Sequence, residues 1–271
     1  MSVWIVTGCS RGLGRAIAEA VLGAGHQLVA TARSTTDLAY LPASDRLRTV
    51  ALDVTDAAQA RAAVELARTA FGRVDALVNN AGYIHANSVE DMQTDEFRAQ
   101  FEVDFFGVYN MAHAVLPVMH AQRSGWICSV SSVGGRRATS GLSAYQAAKH
   151  AVGGFSEVLA TEVAPLGIRV TCLEPAGMRT DMFSASMLAK NIAPDYEQTV
   201  KAPIEKFFGN PANAHIDIHK FAQVILRLAD DPHPPVRLLI GKDAVRAGAL
   251  AIAARTEEDA KWKTVSESTD E

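Results

Sequence analysis

Short apolar runs alternate with longer segments of helical periodicity along most of the chain. An apolar run at residues 3–6 is followed by helical spacing at 15–22 and by a second apolar run at 27–32. Further strands are predicted at residues 47–52, 76–78, 126–130, 169–173 and 236–240. This alternation predicts a parallel sheet, and such continuously apolar strands are typical of sheets that are buried on both faces.

Helices are predicted at residues 56–71, 94–122, 143–164 and 218–229, with Asp56 and Ser143 as N-caps. Helices on both faces of the sheet give the α/β class, as a single-domain Rossmann fold with a doubly wound, seven-stranded parallel sheet over residues 1–254. Residues 179–215 are weakly periodic and too long for an ordinary connection, which predicts a substrate lid. Residues 255–271 form a charged tail that we expect to fray.

Composition narrows the possible partners. The chain has 271 residues, 48% of them hydrophobic, and its net charge of -4 gives no basic excess for nucleic acid. The first strand begins near the N-terminus and no apolar run reaches about 18 residues, which disfavours secretion and a membrane partner. Cys9, Cys128 and Cys172 lack the spacing of metal ligands. We therefore expect a cytoplasmic protein without a metal site.

A glycine-rich segment, Thr7-Gly8-Cys9-Ser10-Arg11-Gly12-Leu13-Gly14, lies between the first strand and the first helix. Glycines in this position allow the backbone to approach a pyrophosphate, and the helix directs its free N–H groups and positive dipole end at the same group. The alternative is an ordinary tight turn. The residues that we expect to bind the cofactor here are Gly8, Ser10, Arg11, Gly12, Leu13 and Gly14.

The second strand ends without the acidic residue that normally binds the ribose 2′-hydroxyl of NAD. Arg33 and Ser34 stand there instead, and Arg11 lies in the glycine loop, so a 2′-phosphate can be bracketed by charge-assisted hydrogen bonds. NADP(H) is therefore the predicted cofactor. Asp37 lies nearby, and solvated surface arginines are the alternative.

Polar and small residues follow the next two strands. Asp53 and Val54 can contact an adenine edge, and the segment Asn79-Asn80-Ala81-Gly82 offers small residues beside a ribose. Both segments follow the carboxyl ends of strands, where ligands bind in this fold. We expect Asn80, Ala81 and Gly82 to contact the cofactor.

Tyr145 and Lys149 are separated by four positions on a predicted helix, which places the phenol and the ammonium group on one face. A neighbouring cation favours the phenolate and lowers the pKa of a tyrosine, which makes Tyr145 a usable acid or base. Ser131 and Ser132 follow the fifth strand at the same edge of the sheet, and Ser132 can orient a carbonyl oxygen. An isolated tyrosine and lysine at this spacing is more often a surface pair.

These features resemble the short-chain dehydrogenase/reductase family, in order and spacing from Val3 to about Thr180. The resemblance implies hydride transfer between nicotinamide C4 and a ketone, aldehyde or secondary alcohol, with Tyr145 as general acid or base. It selects Ser132, thirteen residues before Tyr145, and gives Lys149 the nicotinamide ribose hydroxyls. It also implies a homodimer or homotetramer, formed through the helices at 94–122 and 143–164.

The segment after the sixth strand resembles the part of the family that holds the nicotinamide carboxamide. Its expected contacts are Pro175, Gly177, Met178 and Thr180. Asp104 is a departure, because the family usually has a catalytic asparagine at this place. An ionised Asp104 would offset part of the field of Lys149 and raise the pKa of Tyr145. The alternative is an aspartate that binds backbone at a helix kink.

The substrate is the least constrained part. Apolar side chains of the lid, Met182 and Phe183 among them, suggest a bulky carbonyl compound, although an ordinary small core explains them equally well. Arg136 and Arg137 lie between Ser132 and Tyr145, where an anionic substrate group is conceivable and solvated arginines are the simpler account. Two rival functions remain, an NADPH-binding redox sensor without turnover and an NAD-linked alcohol or hydroxysteroid dehydrogenase.

Overall fold

A computed structural model describes residues 1–178, 187–188, 192–210 and 213–270, the pair 187–188 for its backbone alone. The described strands are β1 (Val3–Val6), β2 (Gln27–Ala32), β3 (Leu47–Ala51), β4 (Ala76–Asn79), β5 (His85–Ala86), β6 (Gly125–Val130), β7 (Ile168–Pro175), β8 (Met187–Leu188) and β9 (Arg237–Ile240). Seven of them form one parallel sheet in the order β3-β2-β1-β4-β6-β7-β9, and β5 pairs with β8. The predicted fold class is confirmed.

The described α-helices are α1 (Gly12–Gly23), α2 (Ala57–Phe71), α3 (Thr94–Phe101), α4 (Gly107–Gln122), α5 (Ser143–Val163), α6 (Ala202–Phe208), α7 (Ile218–Asp230) and α8 (Lys242–Glu267). A π-helical turn, Glu102–Phe106, joins α3 to α4 within the region predicted as one helix. The Asp56 carboxylate accepts hydrogen bonds from the backbone N–H groups of Ala58 and Gln59, which confirms it as the N-cap of α2.

The core has two layers because successive side chains of a strand point to opposite faces of the sheet. In β1, Trp4 and Val6 belong to the layer that packs against α1 and α7, whereas Val3 and Ile5 belong to the layer against α2, α4 and α5. The direction in which strands are added to the sheet reverses between β1 and β4. From β1 the chain continues to β2 and β3 on one side of β1, and it then returns to β4 on the other side of β1. Such a switch point opens a crevice at the carboxyl ends of the strands, where ligands bind in open α/β sheets.

Three predictions about local structure are wrong. Ser143 is the first residue of α5 and Leu142 takes the N-cap position. The edge strands β3 and β9 are not buried on both faces, since alternate residues of β3 are exposed and all four residues of β9 are half-buried. The segment from residue 255 does not fray at its start, since α8 continues to Glu267, although its side chains from Ile252 onward are exposed.

Candidate active site

The glycine loop between β1 and α1 has the shape that a pyrophosphate requires. Gly8 has a φ of 70°, a conformation that disfavours any side chain. A Cβ atom on Gly14 would lie 2.1 Å from the Gly8 carbonyl oxygen, so the loop can approach the helix this closely because residue 14 is a glycine. Arg11 takes the N-cap position without a capping side-chain bond, which leaves the N–H groups of the first turn of α1 available. The loop therefore fits a dinucleotide.

Thr7 and Asn80 hold this loop against the end of β4. The Thr7 Oγ1 atom accepts hydrogen bonds from the backbone nitrogens of Asn80 at 2.9 Å and Ala81 at 3.1 Å. The Asn80 Nδ2 atom donates to the carbonyl oxygens of Thr7 at 2.9 Å and Gly8 at 3.3 Å. These bonds fix the segment at residues 80–82 beside the glycine loop, and Gly8, Asn80 and Ala81 all line one cleft.

At the adenosine end of the cleft, Arg11, Arg33, Asp53 and Val54 line the wall as expected. Neither arginine has a carboxylate within ion-pair distance in the described part of the chain, which leaves both charges available to a ligand. Ser34 does not line the cleft, because its hydroxyl caps the short 3-10 helix Thr35–Leu38 by accepting a bond from the Thr36 N–H. The structure therefore gives no support to a contact from Ser34.

Ser132, Tyr145 and Lys149 meet in the same cleft, at the end of β6 and on the first turns of α5. The Lys149 Nζ atom lies 5.6 Å from the centre of the Tyr145 ring and donates a hydrogen bond to the Val130 carbonyl oxygen at 3.2 Å. The Ser132 Oγ atom accepts a bond from the Gly134 N–H at 3.0 Å, which fixes the hydroxyl group at the mouth of the cleft. A phenol, a hydroxyl and an ammonium group so placed can bind a carbonyl oxygen and move a proton to it.

Asp104 lies fully buried behind Lys149 in the π-helical turn. Its Oδ2 atom is 3.9 Å from the Lys149 Nζ atom and accepts a hydrogen bond from Gln100 Nε2 at 2.8 Å. Its Oδ1 atom accepts a bond from the Tyr83 backbone N–H at 3.1 Å. A Cβ on Gly82 would come within 2.7 Å of the same Oδ1 atom, so the glycine makes room for the carboxylate. Asp104 thus accepts a hydrogen bond from the backbone of another segment, at Tyr83, and also pairs with Lys149.

Burial dominates the acid–base properties of this group of residues. It raises the pKa of Asp104 from 3.8 to about 6, with the Lys149 charge and the bonds from Tyr83 and Gln100 acting in the opposite direction. Burial also raises the pKa of Tyr145 above 10.0, against the lowering effects of Lys149 and the Ser132 hydroxyl, while Asp104 raises it further. Lys149 therefore lowers the pKa of Tyr145 as expected, but in the protein alone desolvation of the phenolate outweighs the lysine charge and the net pKa is raised.

The segment after β7 forms another wall of the cleft. Pro175, Gly177 and Met178 line it, and Met178 forms a backbone bridge with Ile216. Thr180, Met182 and Phe183, also predicted as site residues, lie outside the described residues. In the described part of the predicted lid, Phe207 reaches the cleft, and Val200 and Ile204 pack beside Tyr145.

Sequence reasoning missed two parts of the site. The outer wall of the cleft comes from α8, in a stripe of residues that recurs with helical spacing: Asp243, Arg246, Ala247, Leu250, Ala251, Ala254 and Arg255. Gln100 was also missed, although its position four residues before Asp104 on one helical path is a signal for contact. The cleft encloses about 1360 Å³, more than the range of about 300 to 1000 Å³ that is common for ligand pockets.

Comparison with known proteins agrees with this geometry. The family model for short chain dehydrogenases matches residues 2–191. The chain belongs to the short-chain dehydrogenase family. It is similar to the oxidoreductase BOA17 of Botryotinia fuckeliana, with 45% identity over 267 residues that cover 97% of each chain.

Solved structures are similar as well. A short-chain dehydrogenase from Streptomyces avermitilis superposes with a TM-score of 0.91 at 37% identity, with all of both chains covered. The 3-ketoacyl-(acyl-carrier-protein) reductase from Brucella melitensis, complexed with NADH, gives a TM-score of 0.76 at 27% identity over 88% of this chain and 96% of that one. The family is one of oxidoreductases that use nicotinamide cofactors, and this chain shares its fold over the full described length.

Two further observations concern the described residues alone. None of their helices is long and apolar enough to cross a lipid bilayer. No three or more of their histidine, cysteine, aspartate and glutamate side chains are grouped as metal ligands would be.

Proposed function

We propose that the protein is an NADPH-dependent oxidoreductase that interconverts a ketone or aldehyde and the corresponding alcohol. The observation that carries the proposal is the convergence of Ser132, Tyr145 and Lys149 in the cleft that also contains the glycine loop. A nicotinamide bound there supplies or accepts the hydride at the substrate carbon. The chain provides everything else that the reaction needs, namely orientation of the carbonyl group and a proton for its oxygen.

The residues of the centre have distinct roles in this proposal. The Ser132 hydroxyl orients the carbonyl oxygen, and the Tyr145 hydroxyl donates a proton to that oxygen during reduction and takes it back during oxidation. Lys149 stabilises the tyrosinate and binds the nicotinamide ribose. Asp104 holds Lys149 in place from behind, through the 3.9 Å ion pair.

The preference for NADPH is supported by the adenosine end of the cleft. Arg11 and Arg33 line it without carboxylate partners among the described residues, and β2 ends at Ala32 without an acidic residue to repel a 2′-phosphate. The NADH in the Brucella melitensis structure belongs to a relative of 27% identity and keeps an NAD-linked dehydrogenase as the second candidate.

A homodimer or homotetramer belongs to the same proposal. Phe106 and Tyr109, beside and on α4, are each 42% exposed, and Val158 on α5 is 58% exposed. Exposed large apolar residues on two neighbouring helices are typical of a surface that a second copy covers. The cytoplasmic location stays a prediction from the sequence.

One experiment separates the candidate functions. Purified protein is assayed with NADPH and with NADH against a panel of ketones and aldehydes, and the Tyr145→Phe variant is assayed in parallel. We expect turnover with NADPH and a loss of about 100-fold or more in the variant, because the proton donor is gone. Tighter binding and faster turnover with NADH would favour the NAD-linked enzyme. Binding of NADPH without any turnover would favour the redox sensor.

A further inference from the structure

Basic side chains outnumber acidic ones in the lining of the cleft although the whole chain is acidic. Seven basic and two acidic side chains line it, whereas the chain has a net charge of -4. The nine residues are Arg11, Arg33, Asp53, Arg136, Arg137, Lys149, Asp243, Arg246 and Arg255. Arg11 and Arg33 lie at the adenosine end and Lys149 at the reacting centre, so the remaining four arginines belong to the substrate side. A concave surface with this balance attracts anions.

Two neighbouring arginines in this wall differ in their partners. Arg136 forms an ion pair with the buried Glu174 carboxylate, 2.6 Å from its Oε2 atom. Arg137 is half-buried, and its Nε and Nη2 atoms contact only the Thr139 Oγ1 atom, at 3.3 and 3.1 Å. Across the described residues no carboxylate lies within 4.0 Å of the Arg137 guanidinium group. A guanidinium group has five N–H donors, so most of those of Arg137 have no acceptor among the described residues.

The loop that carries Arg137 is held from both sides. The Thr139 backbone N–H donates to the Gln146 Oε1 atom at 2.7 Å, and Gln146 directly follows Tyr145 on α5. On the other side, the Arg237 Nη2 atom donates to the Gly135 carbonyl oxygen at 3.2 Å while the same guanidinium group pairs with Glu174. The backbone of the loop at Arg137 is therefore held relative to Tyr145 before any ligand binds, which lowers the entropic cost of binding.

The other arginines on the substrate side are less suited to a specific contact. Arg246 has a side chain that is 76% exposed and lies 3.3 Å from the Asp243 carboxylate. Arg255 is exposed and lies 3.4 Å from the His150 ring. A charge in this position is screened by solvent, whereas a half-buried charge without a counter-ion gains more from an anion.

We propose that Arg137 binds an anionic group of the substrate, a carboxylate, so that the preferred substrates are keto acids rather than neutral ketones. The inference rests on the proposed carbonyl reduction and specifies its substrate class. The planar guanidinium group can bind both oxygens of a carboxylate at once while Ser132 and Tyr145 bind the carbonyl oxygen. Substrate is then held at two points in the cleft, and neutral analogues lose one of them.

The experiment compares matched acids and esters. Wild type is assayed with NADPH against 4-oxopentanoate, 5-oxohexanoate and 6-oxoheptanoate and against their methyl esters, and the ratio of kcat/KM for acid over ester is measured. We expect at least one acid to exceed its ester, and Arg137→Gln to lower that ratio by about 10- to 100-fold, the loss of a charged hydrogen bond. Arg137→Lys keeps the charge but not the planar pair of N–H donors, and its acid-over-ester ratio should lie between those of wild type and Arg137→Gln. Arg246→Gln, which removes the same charge from the exposed rim, should change the ratio less than about 3-fold.

Failure of the inference and failure of the proposed function give different results. Equal kcat/KM for acids and esters in the wild type, or an unchanged ratio in Arg137→Gln, would overturn the inference while carbonyl reduction stands. If neither acid nor ester is reduced, the panel of ketones and aldehydes decides the proposed function, which fails when no carbonyl compound is reduced. The role of Arg137 is then decided by calorimetric binding of hexanoate to the NADPH complex. Binding that weakens about 10-fold or more in Arg137→Gln supports it, and equal binding to both proteins refutes it.

Discussion

Replacing Asp104 by asparagine removes the carboxylate charge and also the hydrogen bond from Gln100 Nε2, because an amide has one acceptor oxygen where the carboxylate has two. The variant keeps an oxygen that can accept the bond from the Tyr83 N–H and removes a carboxylate that lies 3.9 Å from Lys149. Asp104 raises the pKa of Tyr145. The pKa of Tyr145 should therefore be lower in Asp104→Asn, and alcohol oxidation, which needs the tyrosinate as base, should reach its maximum at lower pH.

The same substitution changes how stability depends on pH. Burial raises the pKa of Asp104 from 3.8 to about 6, so the folded protein holds this proton more tightly than the unfolded chain. The carboxyl group stabilises the fold below about pH 4, and this contribution is lost as pH rises through 6. Between pH 5 and pH 8 the wild type therefore loses about 1 to 1.5 kcal/mol of folding stability at this residue. An asparagine does not titrate, so the variant has no such loss.

Two assays follow from these values. Urea unfolding at pH 5 and pH 8 should show the stability of Asp104→Asn improving relative to wild type by about 1 to 1.5 kcal/mol at the higher pH. The pH profile of kcat/KM for alcohol oxidation should move to lower pH, under conditions where a deuterium isotope effect shows that hydride transfer limits the rate. A stability difference that is constant with pH, together with an unmoved profile, would refute the electrostatic role of Asp104.

Three further predictions concern the cofactor site and its frame. Arg33→Ala should weaken NADPH binding by about 10- to 100-fold and leave NADH binding nearly unchanged, and equal losses for both cofactors would contradict a 2′-phosphate contact. Thr7→Val leaves the backbone N–H groups of Asn80 and Ala81 without their acceptor and should lower the free energy of unfolding by about 2 to 4 kcal/mol. The control Thr49→Val, at an exposed position, should lower it by less than about 0.5 kcal/mol. Gly153→Ala places a Cβ 2.9 Å from the Arg237 guanidinium group that pairs with Glu174, so thermal unfolding should occur at lower temperature, and an unchanged melting temperature would show that Arg237 moves freely.

The sheet and most helices followed from the sequence because each depends on local pattern, and Ser132, Tyr145 and Lys149 lie in one cleft as the family resemblance implied. Buried strands read as apolar runs, and the glycine loop has a fixed place after β1, so Gly8 and Gly14 could be assigned before their close approach was known. Tyr145 and Lys149 share a helix face by spacing alone. The cleft lies at the switch point of the doubly wound sheet that the alternation of strands and helices predicted, although the strand order itself came from the structure.

Features that depend on packing between distant segments could not be predicted in this way. Burial decides the net pKa shift of Tyr145 and reverses its expected direction. The burial of a side chain cannot be derived from the spacing of residues in the sequence. Ser34 had the right place in sequence, yet its hydroxyl is used by the Thr36 N–H. The ion pairs of Glu174 join residues from the loop after β6, the end of β7 and the start of β9. The contribution of α8 to the cleft wall, from Asp243 to Arg255, was not predicted either.

Transfer of a labelled hydride tests the central claim most directly. The protein is incubated with NADPH that carries deuterium at nicotinamide C4, prepared in each of the two stereochemical forms, and with a carbonyl substrate from the panel. We predict that one form alone delivers its deuterium, which appears at the carbinol carbon of the alcohol product, and that Tyr145→Phe forms little of this product. Alcohol without deuterium from either form, or NADPH that binds and is never oxidised, would contradict the account.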